Sequence, residues 1–176
     1  HIPFGEDAEP SYVQATSDLA GVSIDMPYPI GKGAEEERLL YYRQEFLQPG
    51  FQIDLALGTA QASLLVHGGL VRGGVVHLGP NAPGRPQYDA VRVTGSFSKS
   101  DYEEWDQFFL DMEAISDVSL ESELAQNVES IVLDIGELNL YSLLLESVRV
   151  NITRSSDAWN VVLVNEVLTG EVIIED

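Results

Sequence analysis

Gly31-Lys32-Gly33 is the first stretch whose residue types suggest chemistry, because glycines beside a lysine can cradle a phosphate with backbone amides and an ammonium. A phosphate loop needs a glycine five residues before Gly31, where Met26 stands, and a Ser or Thr after Lys32, where Gly33 stands. The expectation is a turn with an exposed lysine. His67-Gly68-Gly69 is similar to the start of an esterase oxyanion loop, which requires a Gly-x-Ser-x-Gly nucleophile elbow elsewhere. No such elbow exists, and Gly95-Ser96-Phe97-Ser98 lacks its flanking glycines. With His1 at the terminus, a Ser-His-Asp triad would have to draw on His67 or His77. Those two histidines, ten apart on what read as neighbouring strands, could face one metal, yet no third ligand accompanies them. Ordinary sheet positions are expected for both.

Carboxylates are the other reactive groups in excess. Between Ser100 and Ser147 there are 13 and no Lys or Arg. Asp101-Tyr102-Glu103-Glu104-Trp105-Asp106 does not supply the alternating ladder and glycine of a calcium loop. A glycosidase pair is defined by its separation in space and has no spacing signature. A solvated acidic face is therefore expected. Asn151-Ile152-Thr153 matches a glycosylation acceptor, a match set aside as chance outside a eukaryotic secretory setting. The 176 residues contain no cysteine, which removes thiolate nucleophiles, thiolate metal sites and disulfides. No enzyme activity, metal or cofactor is expected.

The whole-chain charge narrows the partners. Against 29 Asp+Glu stand 9 Lys+Arg, for a formal net charge of −20. Nucleic-acid binding rests on neutralising phosphates with Lys and Arg, so it is excluded, and attraction to an anionic membrane surface is weak for the same reason. The chain begins at His1 without a signal-peptide pattern, as a processed chain or a piece of a longer one would. Its apolar runs, such as Leu143-Leu144-Leu145, are too short to span a bilayer, so no membrane anchor is expected within it. The length suits one domain, which at this size buries roughly 70% of its unfolded surface.

The elements that would position these residues are mostly strands. Residues 1–36 are dense in Pro and Gly and read as loop, with a short strand possible at Gly21–Met26. The stretch 35–48 fits strand or helix. A first strand group spans 50–98. Phe51, Ile53, Leu55 and Leu57 alternate with Gln52, Asp54 and Ala56; 60–66 and 70–78 follow, joined at Gly68-Gly69, with Gly73-Gly74 marking a bulge; Val91, Val93 and Phe97 alternate with Arg92, Thr94 and Ser96. Residues 81–86 form a Pro/Gly loop. A helix over 100–113 is signalled by a capping box from Ser100 to Glu103, acidic residues in its first turn, and Tyr102, Trp105, Phe108, Phe109 and Met112 on one face. That helix should pack over a sheet face or cap an edge.

A second strand group fills 129–176. Ile131, Leu133 and Ile135 alternate, as do Val148, Val150 and Ile152, then Trp159, Val161 and Leu163, and Val172 with Ile174. Trp105 and Trp159 read as packing residues, since no strand shows a row of aromatics fit for sugar. With no strand–helix alternation calling for a parallel sheet, the fold class expected is mainly β and antiparallel with one amphipathic helix, one domain or part of one.

The order of certain segments resembles the YhdP group of the AsmA-like envelope proteins of Gram-negative bacteria. Gly21-Val-Ser-Ile24-Asp-Met-Pro27-Tyr-Pro29-Ile-Gly31-Lys32-Gly-Ala34 is similar to that group's G-x-x-I-x-x-P-x-P-x-G-K-x-A segment. Gly69-Leu-Val-Arg72-Gly73-Gly74 looks like its Gly-rich strand pair, and Val93-Thr-Gly95 through Asp101 to Trp105 like the segment that follows its Pro-containing loop. Trp159-Asn-Val-Val-Leu163 and Thr169-Gly170-Glu-Val-Ile resemble its closing strand pair, so the likeness runs from about Ser17 to Ile174. Gln87-Tyr88-Asp89 departs from the glycine-containing approach usual there.

The resemblance implies a piece of a long periplasmic protein, anchored in the inner membrane by a helix elsewhere in its chain. It implies a curved sheet or open β-groove whose apolar face carries phospholipid acyl chains towards the outer membrane, with neighbouring segments of the parent chain as partners. Groove or core lining is then expected from Ile53, Leu55, Leu57, Val91, Val93, Phe97, Val148, Val150, Ile152, Trp159, Val161 and Leu163. The alternative is a closed β-sandwich, a structural or protein-interaction module in which the same residues fill an ordinary core, because apolar alternation looks alike in both.

Overall fold

The computed structural model describes residues 10–80, 89–115, 127–155 and 158–175, with 112–115 described by backbone alone. Ten strands form one sheet, ordered in space as in the chain. They are β1 (Tyr12–Ser17), β2 (Leu40–Phe46), β3 (Phe51–Leu57), β4 (Ala60–His67), β5 (Leu70–Leu78), β6 (Val91–Asp101), β7 (Val128–Leu140), β8 (Leu143–Arg154), β9 (Ala158–Val164) and β10 (Thr169–Glu175). One helix, α1 (Tyr102–Ile115), links β6 to β7. The sheet does not close: β1 and β10 are its two edges. Nine inter-strand spacings make it about 43 Å wide.

The mainly β, one-helix architecture expected from the periodicity is present, and the sheet is open, as the resemblance implies. Its pairing is mixed rather than wholly antiparallel. β6 runs parallel to β5, with Val76 opposite Val93, and parallel to β7, with Val93 opposite Ile131. A single helix among ten strands leaves no repeating strand–helix signal, which is why the sequence pattern points to an antiparallel sheet. Within residues 1–36 the strand is β1, not Gly21–Met26, where Ile24 makes an isolated bridge with Lys32. The ambiguous stretch 35–48 contains β2, held between β1 and β3. The expected irregularity at Gly73-Gly74 lies opposite a register shift between Leu65 and Val66. The 81–86 loop, the Met112 side chain and the acidic residues 117–123 lie outside the described residues.

α1 starts one residue later than the capping box suggests. β6 continues through Ser100, which pairs with Leu138, so Ser100 is strand and cannot cap. Asp101 takes that role: its Oδ1 accepts from the backbone N–H of Glu103 at 2.9 Å and of Glu104 at 3.3 Å. No helix of the described residues is long and apolar enough to cross a membrane.

The most buried cluster is Ile135, Leu138 and Val148, flanked by Phe97, Leu133, Leu145, Val150 and Leu163. Ile135 and Leu138 are three apart, an odd spacing that would put them on opposite faces of a regular strand. Their shared cluster means that the inward face changes parity around Gly136. A side chain there would meet the Ser98 carbonyl oxygen at 2.5 Å, and Ser147 across the strand pair sits at φ 52. Val148 is 1% exposed, and its burial contributes roughly 2 kcal/mol. Only seven described hydrophobic side chains are buried, and none of the others as fully, because each strand packs chiefly on its neighbours and α1 chiefly on β7. No second sheet lies over either face among the described residues.

Candidate functional site

Pairing registers sort the side chains into two faces. On one, a row crosses all ten strands: Ala15, Tyr42, Leu55, Ala62, Val76, Val93, Ile131, Ile152, Val161 and Val172. A second row on that face runs through Leu40, Leu57, Ala60, Leu78, Gly95, Leu133, Val150 and Leu163. Neither row holds a charge. By alternation, Ile53 and Val91 join the same face, as do Phe97 opposite Ile135, Val148 opposite Ile135, and Trp159 opposite Ile174.

All twelve sequence-predicted lining residues therefore share one face of one sheet. The chain's local alternation also carries Ile131, Leu133, Val172 and Ile174 onto that face. Among the members not predicted from the sequence, Tyr42 and Ala62 sit where tyrosine or alanine blurs the period-two pattern, and Val76 follows Val75, so neither valine marks a face.

This face is incompletely covered. Val91 and Val148 are buried, Ile53, Val93, Val150, Ile152, Trp159, Val161 and Leu163 are half-buried, and Leu55 is exposed. Towards β10, Val172 and Ile174 are more than half exposed, at 57% and 53%. Such a continuous apolar surface is rare on a soluble protein and usually binds something.

The opposite face is more polar but mixed. One row runs Gln14, Arg43, Asp54, Ser63, Val75, Arg92, Ser130, Thr153, Asn160 and Ile173, and the next holds Gln61, His77, Thr94 and Asn151 with Val132 and Val162. Many of these groups bond one another, but Arg43 Nε, His77 Nε2 and Asn160 Oδ1 are buried without a hydrogen-bond partner among the described residues. The Ser63 hydroxyl donates to Asp54 at 2.6 Å, and Gln52 donates to both. Arg149 pairs with Asp134 at 2.7 Å and Arg92 with Glu129 at 2.6 Å. The hydrogen bond between the last pair holds Arg92 above its ordinary pKa and the Glu129 carboxyl below its own. A serine spent on a carboxylate is not a nucleophile activated by imidazole.

The histidines are not brought together. His67 is level with Leu70 and His77 with Gln61, roughly 20 Å apart along the strands. His77 is buried on the polar face, its Nδ1 2.8 Å from the Thr94 hydroxyl. No group of three or more potential metal ligands exists among the described residues.

One end of the apolar face is capped by the loop between β1 and β2, which contains Gly31-Lys32-Gly33. Lys32 is not exposed as expected; it is 6% exposed. Its Nζ donates to the carbonyls of Leu19 at 3.1 Å and Gly33 at 2.9 Å, and to that of Val22. All three donors are used inside the loop, which leaves none for a phosphate. Gly31 is required by space, since a Cβ there would fall 1.7 Å from the Met26 carbonyl oxygen. Arg38 ties the loop down further through the carbonyls of Pro29 and Ile30.

The loop reaches as far as β6. The Tyr28 ring packs edge-on against Phe97, 6.4 Å between centroids, and its hydroxyl bonds Ser98 at 3.1 Å. Next to it, Met26 and Pro27 share a cleft of about 780 Å³ with Phe108 of α1, rimmed by Asp25, Asp101, Glu103, Glu104 and Asp111. At the far side of the face, Arg154 lies over the Trp159 ring at 5.1 Å.

No protein-family description, curated protein or solved structure matches the chain.

Proposed function

We propose that this chain is a segment of an AsmA/YhdP-like periplasmic protein that carries phospholipid acyl chains along its apolar sheet face, between the inner and outer membranes. The observation that carries this reading is the uncharged row from Ala15 to Val172, which crosses every strand without interruption. An alkyl chain on such a surface exchanges one set of apolar contacts for another as it moves, so transfer needs no catalytic group. The route runs across the strands, edge to edge. Neither edge strand carries proline or turns a charge towards the apolar face, and β1 is exposed throughout. These unblocked edges suit pairing with neighbouring segments of a longer parent chain, which would lengthen the same face.

The acidic balance bears on what is carried. With a formal charge of −20 and no charge within the apolar rows, lipid would be held by its tails rather than by an anionic headgroup. The competing reading, a closed sandwich that serves as an interaction module, needs a second sheet over this face.

Purified chain, extracted into organic solvent and examined by mass spectrometry, is expected to yield phospholipid. Extracts free of lipid from folded protein would contradict the reading.

A further inference from the structure

We infer that a cavity beside the β2–β3 turn holds the headgroup of a carried lipid, and that this headgroup is a zwitterion with a phosphate and a primary ammonium. This rests on the lipid-carrying reading above. The cavity, of about 340 Å³, has the size of a small-molecule site. Its lining includes buried Leu65 and Val66 and half-buried Phe51. Leu47 and Pro49 of the turn add a further apolar side. Gly50, at φ 99, lets that turn close on β4, where a Cβ would fall 2.1 Å from the Val66 carbonyl oxygen. Phe51 pairs with Val66 and alternates in step with Ile53, so both belong to the apolar face. The cavity and that face thus share two residues, and acyl chains attached to a headgroup there can lie along the sheet.

Opposite charges line the same cavity without meeting. Arg72 and Asp89 both border it, yet neither side chain makes an ion pair or hydrogen bond among the described residues. Arg72 is the extra residue of the register shift: Gly73 stands opposite Leu65 and Val71 opposite Val66, which leaves Arg72 opposite neither. A bulge of this kind re-aims a side chain out of the alternating pattern. A guanidinium with its donors unspent can take two phosphate oxygens at once, and His67, also on the cavity, can add a ring N–H. A plain anion would meet Asp89 as a like charge, and a plain cation would meet Arg72 so; a ligand bearing both charges suits both. Its neutrality also suits a chain of formal charge −20. The ammonium is primary because a carboxylate needs an N–H to accept from. Phe51 is the sole Phe, Tyr or Trp among the described lining residues, too few for the aromatic cage that holds a quaternary ammonium.

The 176-residue chain is titrated calorimetrically with dihexanoyl phosphatidylethanolamine, phosphatidylcholine and phosphatidylglycerol, each below its micelle concentration. The ethanolamine lipid is expected to bind roughly tenfold tighter than the other two, each of which lacks the N–H contact to Asp89. Arg72→Gln and Asp89→Asn should each weaken its binding roughly tenfold, and Asp89→Asn should bring the ethanolamine and choline lipids level. Both side chains are exposed and Asn tolerates the φ of 70 at position 89, so circular dichroism should show the sheet intact in both variants. Free O-phosphoethanolamine, which has no tails, should bind more weakly than its lipid. Three lipids bound equally, or ethanolamine-lipid binding unchanged by either variant, overturns the headgroup site and leaves the lipid-carrying face standing. Free O-phosphoethanolamine bound as tightly as its lipid also overturns it, because the cavity would then take a small solute. If no lipid binds, both readings fall.

Discussion

Lys32→Met is expected to destabilise the protein by about 3 kcal/mol, the loss of three charge-assisted hydrogen bonds from a buried ammonium, offset in part by no longer burying a charge. Methionine keeps the apolar stem of the side chain, so the loss reports on the ammonium. The Leu19, Val22 and Gly33 carbonyls share that one donor group, and it holds the loop between β1 and β2 closed on itself. Without it, Tyr28 should leave Phe97 and one end of the apolar face should open. Urea unfolding measures the change, and a loss below roughly 0.5 kcal/mol, the range of ordinary surface substitutions, would contradict this role.

Aspartate placed on the apolar face should strip lipid from the protein. Val150→Asp and Val161→Asp each put a carboxylate where an alkyl chain would lie, and desolvating it costs more than the 1.4 kcal/mol that corresponds to tenfold in binding. Phospholipid recovered per mole of folded chain is therefore expected to fall roughly tenfold or more. Both valines are half-buried, so the carboxylate keeps access to water in the unliganded state and the sheet can form. Asn151→Asp and Val162→Asp, one residue along each strand, face the polar side and should leave the yield unchanged. Equal losses from both pairs would mean that charge alone, and not position on the sheet, governs binding.

Much of this surface is legible in the sequence, because a strand's period of two is local. Val148, Val150 and Ile152 declare their shared side within five residues, and so do Ile53, Leu55 and Leu57. What links those strands into one continuous face is not local. The parallel setting of β6 depends on a crossover that no short window contains, and the parity change near Gly136 depends on its approach to Ser98 of the neighbouring strand. Lys32 shows the limit most plainly. Its glycine neighbours suggest a surface turn, whereas the cage around its ammonium includes carbonyls 13 and 10 residues upstream. The helix cap differs for a similar reason: pairing of Ser100 with Leu138 extends the strand and passes the capping position to Asp101.

The central claim is that lipid lies on one face of the sheet and not on the other. Site-specific photo-crosslinkers in cells test it most directly, at Val150 and Val161 on the apolar face and at Asn151 and Val162 on the polar face. Crosslinks to phospholipid from the first pair and none from the second are predicted. No lipid captured from Val150 or Val161, or capture equal from both faces, would contradict it.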